Sequence, residues 1–164
     1  MVEGKPLVLY TLELACSLPF KTVHLIAADA KVIELGRRFP VQIQQNLNPQ
    51  RGQCESVRLG TLNSKAEYYM FFTCDQPFMT AEIVLAVCEK AAPEKIVFPT
   101  HNEQHAAPNL FSRTFRDELL NLKDGENARV IKNRHPDALV PVPVSDARML
   151  VDIDTKEDLL RLGE

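Results

Sequence analysis

A chain of 164 residues with 45% hydrophobic and 25% charged residues has the make-up of an ordinary globular domain, long enough to bury one core but not two, so one domain over 1–164 is expected. Its 19 basic residues are scattered among 22 acids for a formal net charge of -3, which excludes the clustered Lys and Arg footprint of a general nucleic-acid binder. No apolar run reaches the roughly 18 to 20 residues of a membrane span, and MVEGKPLVLY carries no leader-like order of basic, apolar and small residues, so a cytoplasmic protein is expected.

The pattern alternates helix-like and strand-like segments with short breaks, which predicts an α/β layered domain. LVLYTLELACS, residues 7 to 17, has helical spacing and stops before Pro19; KTVHLIAAD then reads as a strand. AKVIELGRRF is amphipathic and ends at Pro40, and VQIQQN alternates with period two. After an Asn-Pro turn a helix is predicted from about Gln53 to Leu62. EYYMFFT is the most apolar strand and shows no alternation, which predicts burial on both faces in the middle of the sheet.

Thr80 is placed to cap the helix AEIVLAVCEKAA. KIVFP reads as a further buried strand, NLFSRTFRDELLNL as a short strand entering a helix, and ENARVIKNR as another helix. ALVPVPV and RMLVDID read as late strands, and Thr155 opens a final helix with Asp158 in capping-box register. Cys16, Cys54, Cys74 and Cys88 form no C-x-x-C pair, so reduced and mostly buried thiols are expected. His101 and His105 stand four apart, a helical metal spacing, but Pro99, Asn102 and Pro108 around them favour a loop.

In doubly wound sheets ligands sit beyond the carboxyl ends of the strands, and FFTCDQPFMT ends such a strand on Asp75. RMLVDID also exits into acids, Asp152 and Asp154. Carboxylates at two strand ends suit a hard cation such as Mg²⁺, which takes oxygen ligands and completes its shell with water and phosphate. The spacing alone leaves two readings of Asp75 open, turn aspartate and metal ligand, and one of the later acids would also favour the positive end of the helix that follows.

FFTCDQPFMT, NLFSRTFRDELLNL, ARVI and LVDIDTKEDLLRL, in this order over nearly the whole chain, resemble the MobA-like NTP transferases, and among them the molybdenum cofactor cytidylyltransferase branch. The resemblance implies a Rossmann-like three-layer αβα fold of the nucleotide-diphospho-sugar transferase type with a mostly parallel sheet. It also implies a Mg²⁺-dependent reaction in which the phosphate of a molybdopterin-type cofactor attacks the α-phosphate of an NTP, CTP in this branch, and releases pyrophosphate. By matching position Asp75 is the implied metal ligand and catalytic residue, Gln76 and Pro77 shape its loop, Asp152 is the second ligand and Asp154 the fallback.

NPQRGQCESVRLG resembles the family's nucleotide-side loop, with Gly52 admitting close approach of a ligand to the backbone and Ser56 offering a hydroxyl; Arg58 is expected to face solvent. Family members open with a strand and a glycine-rich loop of the type L-A-A-G-x-S-x-R-M-G, then a lysine, whereas MVEGKPLVLYTLEL matches the segment just after that lysine. About 20 residues of the family pattern, its first strand included, thus have no counterpart, and the fold is expected to be N-terminally truncated. Ala106 stands where relatives carry glycine, and Asp124, Gly125 and Asn127 replace a G-D-x-G order.

Two expectations result: a cytidylyltransferase-type enzyme, or a short relative that binds a nucleotide or a molybdenum-hydroxylase maturation partner without turnover. An open pairing edge left by the absent strand predicts a homodimer or swapped oligomer.

Overall fold

The computed structural model describes residues 1–2, 4–155 and 157–158. Helix α1 (Leu7–Ser17) follows Pro6 and buries Val8, Leu9, Leu12 and Ala15. Strands β1 (His24–Ala27) and β2 (Gln42–Gln45) pair in parallel with Leu25 opposite Ile43, joined through α2 (Ala30–Gly36), whose N-cap Asp29 accepts a hydrogen bond from the Lys31 amide at 2.6 Å. Val8, Leu9, Leu12 and Leu25 pack into one cluster with Val32, Leu35 and Ile43 around it. At Gly36 a Cβ would collide with the Leu25 side chain, so the glycine is what lets α2 lie close on β1.

Helix α3 (Gln53–Leu62) leads to β3 (Tyr68–Phe71) and α4 (Ala81–Glu89), the latter capped by the Thr80 hydroxyl, which accepts from the Ile83 amide at 3.5 Å. Strands β4 (Ile96–His101), β5 (Gln104–His105), β6 (Asn109–Ser112) and β7 (Leu139–Pro143) complete a second sheet, with α5 (Arg116–Leu120) and α6 (Arg129–Arg134) between the last two. β6 lies between β3 and β4 and runs antiparallel to both, whereas β7 pairs with β4 in parallel. β3, β4 and β7 therefore point the same way.

Alternate side chains leave this sheet on opposite faces. Ile96, Phe98 and Phe111 join Cys54 and Val57 of α3, Leu119 of α5 and Ile131 of α6 on one face. Val97 and Leu110 join Val87 of α4 and Val142 on the other. Helices thus cover both faces, as the three-layer expectation requires.

The expectation of a mostly parallel sheet is only partly met, because β6 and β5 oppose β4. Burial of EYYMFFT on both faces is also corrected. β3 pairs only with β6 among the described residues, leaving Tyr68 exposed, Tyr69 buried and Met70 and Phe71 half-buried. β1 likewise pairs only with β2, so described backbone forms two sheets and no ladder joins β1 to β3.

RMLVDID is not a strand: Ala147–Leu150 form a 3-10 turn on the Asp146 cap, and no ladder takes up 151–154. Between β4 and β5 a two-residue turn, Asn102 and Glu103 with φ of 48° and 65°, has the positive angles of the hairpin turns that match strand twist. The capping box at Thr155 is formed, with the Thr155 amide donating to Asp158 Oδ2 at 2.8 Å and the Asp158 amide to Thr155 Oγ1 at 3.2 Å. The rest of that expected helix, 159–164, lies outside the described residues.

Candidate active site

β3 ends at Phe71 and the chain runs on through an exposed Cys74, not the buried thiol expected, to the half-buried Asp75. The Thr11 hydroxyl of α1 donates to the Thr73 carbonyl at 3.2 Å, and the Ile153 amide donates to the Asp75 carbonyl at 2.8 Å. Gln76, 5% exposed, donates from Nε2 to Asp152 Oδ1 at 2.8 Å and to the Leu150 carbonyl at 3.4 Å. Pro77 is buried and starts the turn that leads to α4. The end of β3 and the segment 150–153 are thereby fastened together, with Asp75 half-buried and Asp152 exposed beside Gln76.

The electrostatics of that pair are unfavourable as they stand. Partial desolvation raises the Asp152 carboxyl above the ordinary carboxylate value; the Gln76 amide opposes this, while the charges of Asp75 and Asp154 add to it. Asp75 Oδ1 and Thr73 Oγ1 are buried with no hydrogen-bond partner, and a buried oxygen left unmatched is costly and rare. Two carboxylates that act on each other through their charges, one with an unmatched oxygen, form a donor set that suits Mg²⁺, which uses one or two carboxylates and takes the remaining ligands from water and phosphate. No group of three His, Cys, Asp or Glu side chains at metal-holding geometry occurs among the described residues. Asp154 is exposed and acts on Asp152 through its charge.

The sign of the Asp152 effect gives a test. A carboxyl whose folded pKa is raised holds its proton more tightly in the folded state, so it favours folding only in acid and penalises it once ionised. Asp152→Asn is therefore expected to be more stable than the parent at neutral pH. The gain should fade as pH falls through the carboxylate range, which urea denaturation at several pH values would read.

On the nucleotide-side loop, Gly52 has φ of +85°, a conformation that favours glycine, and it opens α3 after a 3-10 turn at Pro49–Arg51. Ser56 Oγ accepts from Asn46 Nδ2 at 3.2 Å, and Asn46 Oδ1 accepts from the Asn48 amide at 2.9 Å, which fixes the entry to the loop. Arg58 does not face solvent freely. It holds the buried Glu55 with two hydrogen bonds, at 3.0 and 2.6 Å, and Arg51 adds a third at 2.8 Å. These cations, Arg58 first, keep the Glu55 carboxyl below its ordinary value. A buried carboxylate needs such partners, and the sequence signal was the Arg-x-x-x-Glu-x-x-Arg spacing on one helix face.

Arg51 also reaches Asp124 at 2.7 Å, and the Gly125 amide donates to the Arg51 carbonyl at 2.9 Å. The altered loop at Asp124 and Gly125 does make a turn, with Gly125 at φ of +80°, and it is latched to Gly52 across the face of the sheet that carries α3, α5 and α6.

A concavity of about 590 Å³ lies between the β4–β5 turn and β7, lined by His101, Glu103, His105, Pro141 and Ser145 among others. His101 Nδ1 bonds the Val144 carbonyl at 2.8 Å, and His105 stacks on Phe98 with ring centroids 4.3 Å apart. The Phe98 ring also meets Lys132, which is 6% exposed and has its Nζ 3.5 Å from the ring centroid. Burial, with Arg129 nearby, lowers its pKa from 10.5 to about 8.

In that window the unfolded chain binds the extra proton, so stability should rise with pH from about 8 towards 10.5, with the full penalty present below 8. Lys132→Met is expected to be more stable than the parent near neutral pH and to lose that advantage as pH climbs through the window, by chemical denaturation at fixed ionic strength.

No helix among the described residues is long and apolar enough to cross a membrane. No curated protein matches the sequence. Among solved structures, a nucleotidyl transferase from Methanothermobacter thermautotroptrophicus superposes with a TM-score of 0.85 at 17% identity, over 99% of this chain and 81% of that one. Rv0371c from Mycobacterium tuberculosis, in complex with manganese, gives 0.75 at 20% identity over 99% and 88%. Molybdopterin-guanine dinucleotide biosynthesis protein A from Archaeoglobus fulgidus gives 0.71 at 22% identity over 98% and 85%. At these identities the likeness concerns the fold. In sequence, the profile of the MobA-like NTP transferase domain matches residues 1–139, and with that match over most of its length the chain belongs to the MobA-like NTP transferase family.

Proposed function

We propose that this chain is a Mg²⁺-dependent nucleotidyltransferase that passes the nucleotidyl group of an NTP, CTP by resemblance, to the phosphate of a molybdopterin-type acceptor, with release of pyrophosphate. The observation that carries the reading is the Asp75–Asp152 pair at the carboxyl end of β3, fastened by Gln76 and holding one unmatched oxygen. The structural likeness to a manganese-bound protein and to a molybdopterin-guanine dinucleotide biosynthesis protein supports it.

Asp75 and Asp152 would hold the metal. When bound, it neutralises the crowded phosphate oxygens of the transfer, a reaction that needs alignment and charge compensation more than covalent help. Gln76, the neighbour of Asp75 in the chain, holds the Asp152 carboxylate by its amide, and the latch between the Gly52 and Asp124 loops keeps the nucleotide side rigid.

Calorimetric titration with CTP and Mg²⁺, followed by addition of a molybdopterin-type acceptor, tests the reading: metal-dependent heat with acceptor-dependent pyrophosphate release supports it, and heat without release once the acceptor is present points to the binding-only relative, whose partner would be a molybdenum hydroxylase in maturation. No heat above buffer controls refutes nucleotide binding in either form. The edges of β1 and β3 that pair with no strand among the described residues favour association, so the chain is expected to run as a homodimer in light scattering; a monodisperse monomer contradicts this.

A further inference from the structure

The geometry points to Lys132, with Arg129 and His105 beside it, as a phosphate-binding subsite at the carboxyl edge of the second sheet. Lys132 Nζ donates one hydrogen bond, to Asn109 Oδ1 at 3.0 Å, and rests on the Phe98 ring. An ammonium has three donors, and neither Lys132 nor Arg129 has a carboxylate partner within ion-pair distance among the described residues. Arg129 lies one helical turn earlier on α6, and desolvation first, then the charges of both cations, depress the imidazolium form of His105 on β5. The groups facing Lys132 from β4, β5 and β6 are thus an aromatic ring, an imidazole and an amide, with no acid to balance the charge.

A buried cation left without a counter-charge is expensive. The core does not require one here, since the neighbouring Ile131 and Phe98 are fully buried apolar residues that a methionine would suit equally well. An incoming dianion would supply the missing charge and use the free donors.

Its position fits. Asn109 pairs with Phe71, the last residue of β3, and the four residues from Phe71 to Asp75 span at most about 14 Å. The subsite therefore stands on the same edge as the carboxylate pair, within reach of one extended ligand. That the phosphate is the acceptor's, not the nucleotide's, rests on the nucleotidyltransfer reading above.

The test is NMR of protein with ¹³C-labelled lysine. The Lys132 ε-methylene signal, assigned by its loss in Lys132→Met, is followed as inorganic phosphate, glycerol 3-phosphate, or CTP with Mg²⁺ is added at constant ionic strength. A saturable shift is expected, with the titration midpoint moving up by about one unit for a ligand that prefers the charged amine tenfold. Arg129→Ala, an exposed change, should weaken that binding severalfold. Response to glycerol 3-phosphate assigns the subsite to the acceptor, and response only to CTP with Mg²⁺ assigns it to the nucleotide.

No shift with any of the three, or a shift that chloride reproduces, overturns the proposal; so does full phosphate affinity in Arg129→Ala. Heat with CTP and Mg²⁺ but no Lys132 response sinks the subsite alone. A phosphate response without CTP binding sinks the nucleotidyltransfer reading alone.

Discussion

Asp75→Asn is expected to abolish metal-dependent nucleotide binding and to cut any turnover by on the order of 10²- to 10³-fold, the range for loss of one electrostatic stabiliser, while leaving the protein more stable. The two effects share one cause. Asp75 raises the energy of ionised Asp152, and its Oδ1 is buried without a partner; asparagine keeps the shape and removes the repulsion. If the relief is about 1 kcal/mol, the melting temperature of a chain this size rises by about 2–4 °C. Calorimetry and a pyrophosphate-release assay on the same preparation would check both. A variant that binds CTP and Mg²⁺ like the parent removes Asp75 from the metal site. One that is inactive but also less stable makes Asp75 a structural turn residue, the reading that spacing alone left open.

Phe111→Ala is expected to give the largest loss of stability, about 3–5 kcal/mol. Phe111 is fully buried, pairs with Tyr69 on β3 and Ile96 on β4, and meets Phe71 and Phe115 edge-on at 6.0 and 6.2 Å. It therefore fills the centre of the sheet face that α3, α5 and α6 cover, and the cavity left behind cannot close without moving three helices. Against a total stability of about 5–15 kcal/mol, such a loss leaves little margin. The urea midpoint should fall sharply, and a drop worth under about 1 kcal/mol would mean that this face repacks freely, contrary to close packing.

Local chemistry was well written in the sequence where one element decides it alone. α1 and α3 begin and end where proline, glycine and apolar spacing place them, and the Thr80 and Thr155 caps form as their residue types predict. What depended on partners distant in sequence was not legible. EYYMFFT looked like a central strand because its apolar run reports hydrophobicity and not neighbours; among the described residues its one partner is β6. RMLVDID has strand composition, yet Asp146 turns its first half, and the Ile153 amide goes to Asp75 instead of to a ladder.

The candidate site divides the same way. Asp75 and Asp152 could be picked from their strand-end positions, and Gln76 from the family pattern. That Gln76 is the clasp between them required the fold, because 76 residues separate the two ends of that hydrogen bond. Lys132 escaped the sequence reading altogether. It follows the core residue Ile131 in a helix that is otherwise mostly polar, and only the approach of β4 and β6 turns an unremarkable lysine into a buried charge.

The reversed direction of β6 has a consequence for how polar residues are recruited. A strand that runs with its neighbours delivers its last residues to the working edge, so its side chains there are followed by a loop free to vary. β6 delivers its first residue, Asn109, straight after the turn at Ala106 to Pro108. That position is anchored on its far side by the core residues Leu110 and Phe111, so a substitution at Asn109 is held in place by the strand behind it. In a search for specificity-changing variants, the stretch leading into β6 is thus a better place to alter the ligand without loosening the edge than the longer loop that leaves β3.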